Sequence, residues 1–391
     1  MHDTITPQKY PIEQHAQLQA SLRLHHEPGL SAYRAAKLIE VFTEPTAIFN
    51  ASLTKLCSIL PQKLAIQLLA PPSKEVLCAL EKALDWSTKA DCHLVPWSDN
   101  HYPNALKNMS DPPVLLYVKG NINCLSRSMV GIVGTRDASS YGLEMAHRLA
   151  HDMAHAGWCV VSGLAKGIDA AAHRGAMTGA SQGASLAVLG HGLNLVYPSE
   201  NISLAQSLLE NRCALVSELN PDTPPRPHQF PRRNRIVAGL VRGVIVVEAA
   251  KRSGSLITAR LANELGRDVF SVPGPITSPG SSGVHALIKQ GACLVESAHD
   301  VLAEFGCETS PEVAQPLYQA TRQASIAHLS LSPIQKQLLD LIGHAPTQTA
   351  QLLTHTLLSP QALNIQLTML ELEGFIAREA NGLVYVTSSV K

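Results

Sequence analysis

Between Val114 and Ser297, short β-branched apolar runs alternate with longer stretches whose apolar residues recur every three or four positions. The runs are VLLYV, MVGIV, WCVVS, SLAVL, ALVSE, GVIVVEA, DVFSV and ACLVE, apolar almost throughout rather than at every second position. Strands of that kind are buried on both faces. The pattern therefore predicts an α/β domain with a mostly parallel sheet, covered by helices such as those in SSYGLEMAHRLAHDMAHAG and GSLITARLANELG. Glycines follow several runs: Gly134, Gly163, Gly190 and Gly192. In open parallel sheets ligands bind beyond the carboxyl ends of the strands, where these glycines stand.

The texture changes on either side. Residues 15–85 read as short helices, with LRLHHEPGLSAYRAAKLIEVF broken at Pro28-Gly29 and LPQKLAIQLLA stopped by Pro71-Pro72. The Pro-Gly-Leu-Ser turn between helices resembles helix-hairpin-helix and sterile-alpha-motif modules, but because it lacks a second glycine a plain helical packing domain is the favoured reading. After Phe305, GCETSPEVAQPLYQATRQASIAHLS loses periodicity and reads as a linker. LSPIQKQLLDLIGHAP, TQTAQLLTHT and SPQALNIQLTMLELEGF then predict three helices, and IAREANGLVYVT a hairpin with Asn381-Gly382 at its tip. Three helices and a two-stranded wing make a winged-helix domain. The expected division is 1–90 helical, 91–305 α/β, 306–329 linker and 330–391 winged helix.

Charge narrows the function. The chain balances 31 Lys and Arg against 31 Asp and Glu, with 45% apolar and 16% charged residues, as a soluble globular protein does. Neutrality argues against coating DNA by bulk attraction but leaves room for a local footprint. No apolar run approaches the ~18–20 residues of a membrane span. The opening MHDTITPQKY lacks the basic and then apolar pattern of a signal peptide, so the expected location is cytoplasmic, away from membranes. Eight cysteines without Cys-x-x-Cys and 17 histidines without His-Glu-x-x-His predict no disulfide framework, metal site or cofactor. From Arg226 to Arg252, however, seven cations face one anion, Glu248, a local net charge of +6.

Three stretches carry candidate chemistry. In GIVGTRDASSYG a strand runs into Arg136, placed to close over a phosphate, and Ser139-Ser140 opens a helix; the plain alternative is a tight turn with a surface arginine. In VVSGLAKGIDAAAHRGAM, Ser162-Gly163 ends a strand, and Lys166 adds a point charge where glycines let the backbone approach a ligand. Asp169 there reads as a helix cap and His173 as a packed side chain, rather than as a catalytic pair. In PRPHQFPRRNRIVAG, Arg226, Arg232, Arg233 and Arg235 precede a strand, and Lys251-Arg252-Ser253-Gly254-Ser255 follows it and opens a helix. Phe230 among these cations is what stacking on an unpaired base requires, and Asn234 reaches a base edge or a phosphate. A salt-bridged loop, or a Phe230 that plugs the core, is the alternative. Several separate cationic strand ends suit a polyanion better than a mononucleotide. The rival is a Rossmann-like nucleotide hydrolase using Asp169, Glu218 or Glu248 as base, but no acid lies in a glycine-rich loop beside a second acid or a nucleophile. A pure scaffold built on the terminal domains leaves the cations unexplained.

GTRDASSYG, SGLAKGIDAAAHRGAM, GHGLNLVYPSEN, FPRRNRIVAGL, VVEAAKRSGSLITARLANELGRDVFSVPG and SPGSSGVHALIKQGA, in that order, closely resemble the bacterial DNA-processing protein A family over roughly residues 100–300. The resemblance implies an extended Rossmann-like central domain, flanked as above. It implies a homodimer that binds single-stranded DNA and helps load the RecA recombinase during natural transformation, a role that is not enzymatic. It also implies DNA contacts at Arg136, Ser162-Gly163, Phe230 and the Arg233-Asn234-Arg235 run. Some relatives carry a lysine in the YPSEN segment where this chain has Ser199, so no contact is expected there. Val284, Leu287, Ile288, Leu294 and Leu302 are candidates for a self-complementary dimer face, with simple core packing at least as good a reading of each residue alone.

Overall fold

The computed structural model describes residues 12–180, 183–307, 332–342, 347–356, 358–379 and 382–386. The opening MHDTITPQKY, nearly all of the expected linker and Asn381 of the hairpin tip lie outside the described residues.

Among the described residues six helices come first: α1 Ile12–His26, α2 Ala32–Phe42, α3 Pro45–Phe49, α4 Leu53–Cys57, α5 Gln62–Leu69 and α6 Lys74–Thr88. The alternating region follows as β1 Cys92–Pro96, α7 Asn104–Lys107, β2 Leu115–Gly120, β3 Met129–Val133, α8 Ser140–His155, β4 Cys159–Ser162, α9 Ile168–Gly179 and β5 Ser185–Leu189. It continues as α10 Ile202–Glu210, β6 Ala214–Ser217, α11 Gln229–Leu240, β7 Gly243–Val246, α12 Ser255–Glu264, β8 Asp268–Ser271, α13 Ser282–Lys289, β9 Cys293–Leu294 and α14 Ala298–Glu304.

The nine strands form one sheet in the order β1-β2-β6-β5-β4-β3-β7-β8-β9. Strands β3 to β9 pair in parallel, while β1–β2 and β2–β6 are antiparallel. All eight apolar runs contain strands. Strand β1, CHLVP, was not among them; it adds an edge beside β2. Every position of β3, β4 and β5 is buried. Alternate residues point to opposite faces, so Val161, Leu186 and Val188 pack with Ile236 and Val237 of α11 and Ala259 of α12. Val130, Ile132 and Val160 pack with Leu149 of α8 and Ala172 of α9.

The N-terminal helices divide between two cores. Leu18 and Leu22 of α1 and Ala83 and Trp86 of α6 join Tyr117 of β2 and Leu189 of β5. Leu38 and Ile39 of α2 cluster instead with Ile48, Leu56, Leu64 and Leu68. The expected dimer face divides as well. Val284 and Leu302 are buried core residues, because one packs under β7 and the other under β3 and β8. Leu287 and Ile288 are half-buried, and Leu294 is 45% exposed on β9, at the open edge of the sheet. Among the described residues no helix is long and apolar enough to cross a membrane.

The C-terminal unit has α15 Pro333–Ile342, α16 Thr349–His355 and α17 Pro360–Leu372, with strands β10 Thr347–Gln348, β11 Ile376–Arg378 and β12 Leu383–Val386. It has its own core of Leu338, Ile342, Leu352, Leu363, Leu367, Leu370 and Phe375. This is a winged helix with a third short strand beside the wing. In DNA-reading domains of this shape one helix presents basic or amide groups to the major groove. Here α17 contains no Lys or Arg, and its outward side carries Ile365, Met369 and Leu372 at 57%, 49% and 83% exposure. Arg378 is held by Glu371, 2.5 Å away. The wing instead meets the central domain, where the Ser140 N–H donates to Glu379 Oε1 at 3.5 Å. The isolated segment from about Ser330 to Lys391 is therefore expected to bind neither single- nor double-stranded oligonucleotides at low salt, since the phosphate attraction that drives non-specific binding is missing. Micromolar binding in such a titration would reassign the domain to duplex recognition.

Candidate nucleic-acid interface

The chain winds from β3 through β4 and β5 in one direction, then returns to place β7 on the other side of β3. That reversal opens a crevice beyond the carboxyl ends of the strands. A cavity of about 520 Å³ lies there, lined by Gly134 to Asp137 after β3, Gly163 and Ala165 after β4, Tyr197 after β5, one side of α11, and Ser253 to Ser255 at the start of α12.

The loops at this edge are tied together through backbone and carboxylates. The Thr135 N–H donates to the Glu248 carbonyl at 2.7 Å, and Ile168 N–H to the Thr135 carbonyl at 3.2 Å. Gly167 (φ +72) makes the second contact achievable, because a Cβ there would collide with the carbonyl oxygens of Thr135 and Arg136. Asp169 holds the neighbouring loop: its Oδ2 accepts from Gly163 N–H at 3.0 Å and Ala165 N–H at 3.4 Å. Contrary to the expectation from the sequence, it does not cap its own helix; the N-cap is Gly167, with no side-chain bond. Burial raises the Asp169 pKa, and the Arg233 charge and the two N–H groups oppose that shift. His173 bonds Ser185 Oγ at 2.7 Å, and burial lowers its pKa to about 3, so it is a packed neutral side chain and no partner of Asp169.

PRPHQFPRRNRIVAG is mostly helix α11, not a loop. Phe230, Arg233, Asn234 and Val237 stand at i, i+3, i+4 and i+7 and share one face, and all four line the cavity. Arg233 is nearly buried, at 7% exposure. It packs so tightly on Gly163 that a Cβ there would collide with the guanidinium, and its Nη1 donates to the Val188 carbonyl. Burial pulls its pKa down, and nearby Asp169 counteracts this. Among the described residues its Nε has no hydrogen-bond partner, though it is buried. Phe230 is half-buried over Gly190, where an added Cβ would lie 3.1 Å from the ring. The exposed Arg136 places its guanidinium carbon 5.9 Å from the Phe230 ring centroid. Among the described residues Arg136 has no carboxylate within ion-pair distance.

Of the expected site residues, the structure brings together Arg136, Gly163, Phe230, Arg233, Asn234, Ser253, Gly254 and Ser255. The others lie elsewhere, for identifiable reasons. Arg235 is a correction: it points away from the cavity into a buried ion pair, with Nη2 2.5 and 2.6 Å from the two Glu218 carboxylate oxygens and Nη1 2.6 Å from the Asp111 carbonyl. Arg232 is one helical turn before Arg235 and leans on the same Glu218 at 3.5 Å. Ser162 is fully buried and donates to the Ile132 carbonyl, inside the sheet. Lys166 is exposed and paired with Glu200. Lys251 lines a different hollow, beside α12 and α13, and Arg252 is exposed outside the lining. The anion site expected at the start of α8 is already filled by carboxylates: Glu248 Oε2 accepts from the Ser139 N–H and hydroxyl, and Glu379 from the Ser140 N–H. Sequence reading missed Tyr197, whose signal was an aromatic in a loop directly after a glycine-terminated strand.

Residues 93–306 match the family described as DNA recombination-mediator protein A, and residues 321–382 match the DprA winged helix domain. The chain is 41% identical over 308 residues to Protein Smf of Escherichia coli (strain K12), covering 78% of this chain and 80% of that one. It is 47% identical over 207 residues to DNA processing protein DprA of Streptococcus pneumoniae, covering 53% and 72%. The X-ray structure of DprA from Streptococcus pneumoniae matches with a TM-score of 0.63 at 35% identity, covering 75% of this chain and 99% of that one. The Rossmann-like sheet, the winged helix and these matches agree: the chain belongs to the DNA recombination-mediator protein A (DprA/Smf) family.

Proposed function

We propose that this protein binds single-stranded DNA without chemically altering it and hands the strand to the RecA recombinase during natural transformation, working as a homodimer in the cytoplasm. One observation carries the reading: the cavity at the sheet's reversal joins an unpaired exposed arginine, Arg136, to an aromatic side chain, Phe230, against glycine-lined backbone. Cation and ring together suit a phosphate and an unstacked base, and in a duplex the base faces are already occupied. The family's description as a recombination mediator supports the wider role. The three acids of the hydrolase alternative are committed to the scaffold: Asp169 to the Gly163 loop, Glu218 to Arg235, and Glu248 to Ser139. The open edge at β9, with Leu294 exposed, supports the dimer; a monomeric mass at micromolar concentration counts against it.

Titration of the full chain with oligothymidine and with duplex of equal length, across salt, tests the reading. Preference for the single strand and recovery of intact oligonucleotide are expected; release of base, sugar or phosphate supports the hydrolase. Arg136→Ala should weaken binding nearly equally for all sequences. It should also lower the dependence of log affinity on log salt by about 0.7, the loss of one phosphate contact on a single strand. An unchanged slope shows that Arg136 does not touch phosphate.

A further inference from the structure

We infer that Tyr197 is a second base-stacking surface, which takes the nucleotide next to the one on Phe230. This rests on the single-strand reading above. Among the described residues the Phe, Tyr and Trp side chains that stand exposed are Tyr33 and Tyr197, and Tyr197 lines the cavity at 44% exposure. Its ring centroid is 5.6 Å from that of Phe230, with the planes inclined by 45°. A base held between two rings needs about 7 Å between them, two contacts of about 3.5 Å each. The two rings are already in contact, so no base enters between them. Tyr197 extends the Phe230 platform outward, and its open face is free for the neighbouring base.

The loop that carries Tyr197 is fastened on both sides. Upstream, Asn194 Nδ2 donates to Asp222 Oδ1 at 2.6 Å and its N–H to the Pro221 carbonyl at 2.9 Å, while Trp86 Nε1 donates to Asn194 Oδ1 at 3.0 Å. Downstream, Asn201 Nδ2 donates to the carbonyls of Leu164 and Ala165 at 2.9 and 3.1 Å, which ties the loop to the one that carries Gly163. An exposed aromatic on a loop clamped at both ends is ordered before the ligand arrives, so little entropy is lost when a base stacks on it. Stacking of this kind tolerates every base, because each has a π-face.

The experiment compares Tyr197→Ala, Tyr197→Phe and the parent protein on oligothymidine and on an abasic oligomer of the same length. Tyr197→Ala should lose about 5- to 150-fold in affinity for oligothymidine, the ~1–3 kcal/mol of one stacked base. Tyr197→Phe should bind like the parent, because the hydroxyl takes no part. Both variants should match the parent on the abasic oligomer, and the salt slope should not change. Parental affinity in Tyr197→Ala overturns the inference. So does an equal loss on the abasic oligomer, which would mark a displaced loop, or a loss in Tyr197→Phe as large as in Tyr197→Ala. If the parent itself binds no single strand, the functional reading fails first and the inference falls with it; normal parental binding with an indifferent Tyr197 refutes the inference alone.

Discussion

Glu218→Ala should destabilise the folded protein by about 3–5 kcal/mol, the usual consequence of leaving one partner of a buried ion pair unpaired. Glu218 and Arg235 are 6% and 7% exposed, and the guanidinium meets both carboxylate oxygens. Asp111 remains beside Arg235, with its carboxylate 3.3 Å from Nε, but it is 42% exposed and screened by solvent. Urea denaturation of the two proteins measures the loss. Under conditions where the variant is folded, affinity for single-stranded DNA should equal the parent's, because Arg235 lies outside the cavity. A variant with intact stability and weakened DNA binding would return Arg235 to the DNA and refute its structural role.

That prediction reverses a reading of the sequence, and the reason is local. FPRRNR shows three arginines in four positions but not which way each points. Once the segment is helix α11, its 3.6-residue period separates them: Arg233 turns with Phe230 and Asn234 toward the cavity, while Arg232 and Arg235 turn toward Glu218. Pro231 and the cluster of charges obscured the helix in the sequence, although Pro in a first turn is compatible with one. The sheet was far more legible, because strands buried on both faces must be apolar throughout. Strand β1 escaped because it is five residues long, contains His93 and ends at Pro96. The dependence of Arg233 on Gly163 could not be read at all: seventy positions separate them, and only the packing of β4 against β5 and α11 brings them together.

Phe230→Ala should lower affinity for single-stranded DNA by about 1–3 kcal/mol, roughly 5- to 150-fold, with almost no change in salt dependence. The salt behaviour separates it from Arg136→Ala, since a ring releases no counterions. The sequence left open whether Phe230 plugs the core. In the structure it is half-buried and joins none of the hydrophobic clusters that hold the sheet; beneath it lies the backbone of Gly190, and beside it stand Tyr197 and Arg136. Truncating a core phenylalanine costs about 3–5 kcal/mol of stability; a ring at the cavity rim should cost much less. The two roles thus predict opposite pairs of results. A rim platform gives near-parental urea denaturation with weakened binding, and a core plug gives lost stability with normal affinity in whatever fraction remains folded. Measuring both quantities on the one variant decides between them, and the second pattern would remove base stacking at Phe230, and with it the platform that Tyr197 extends.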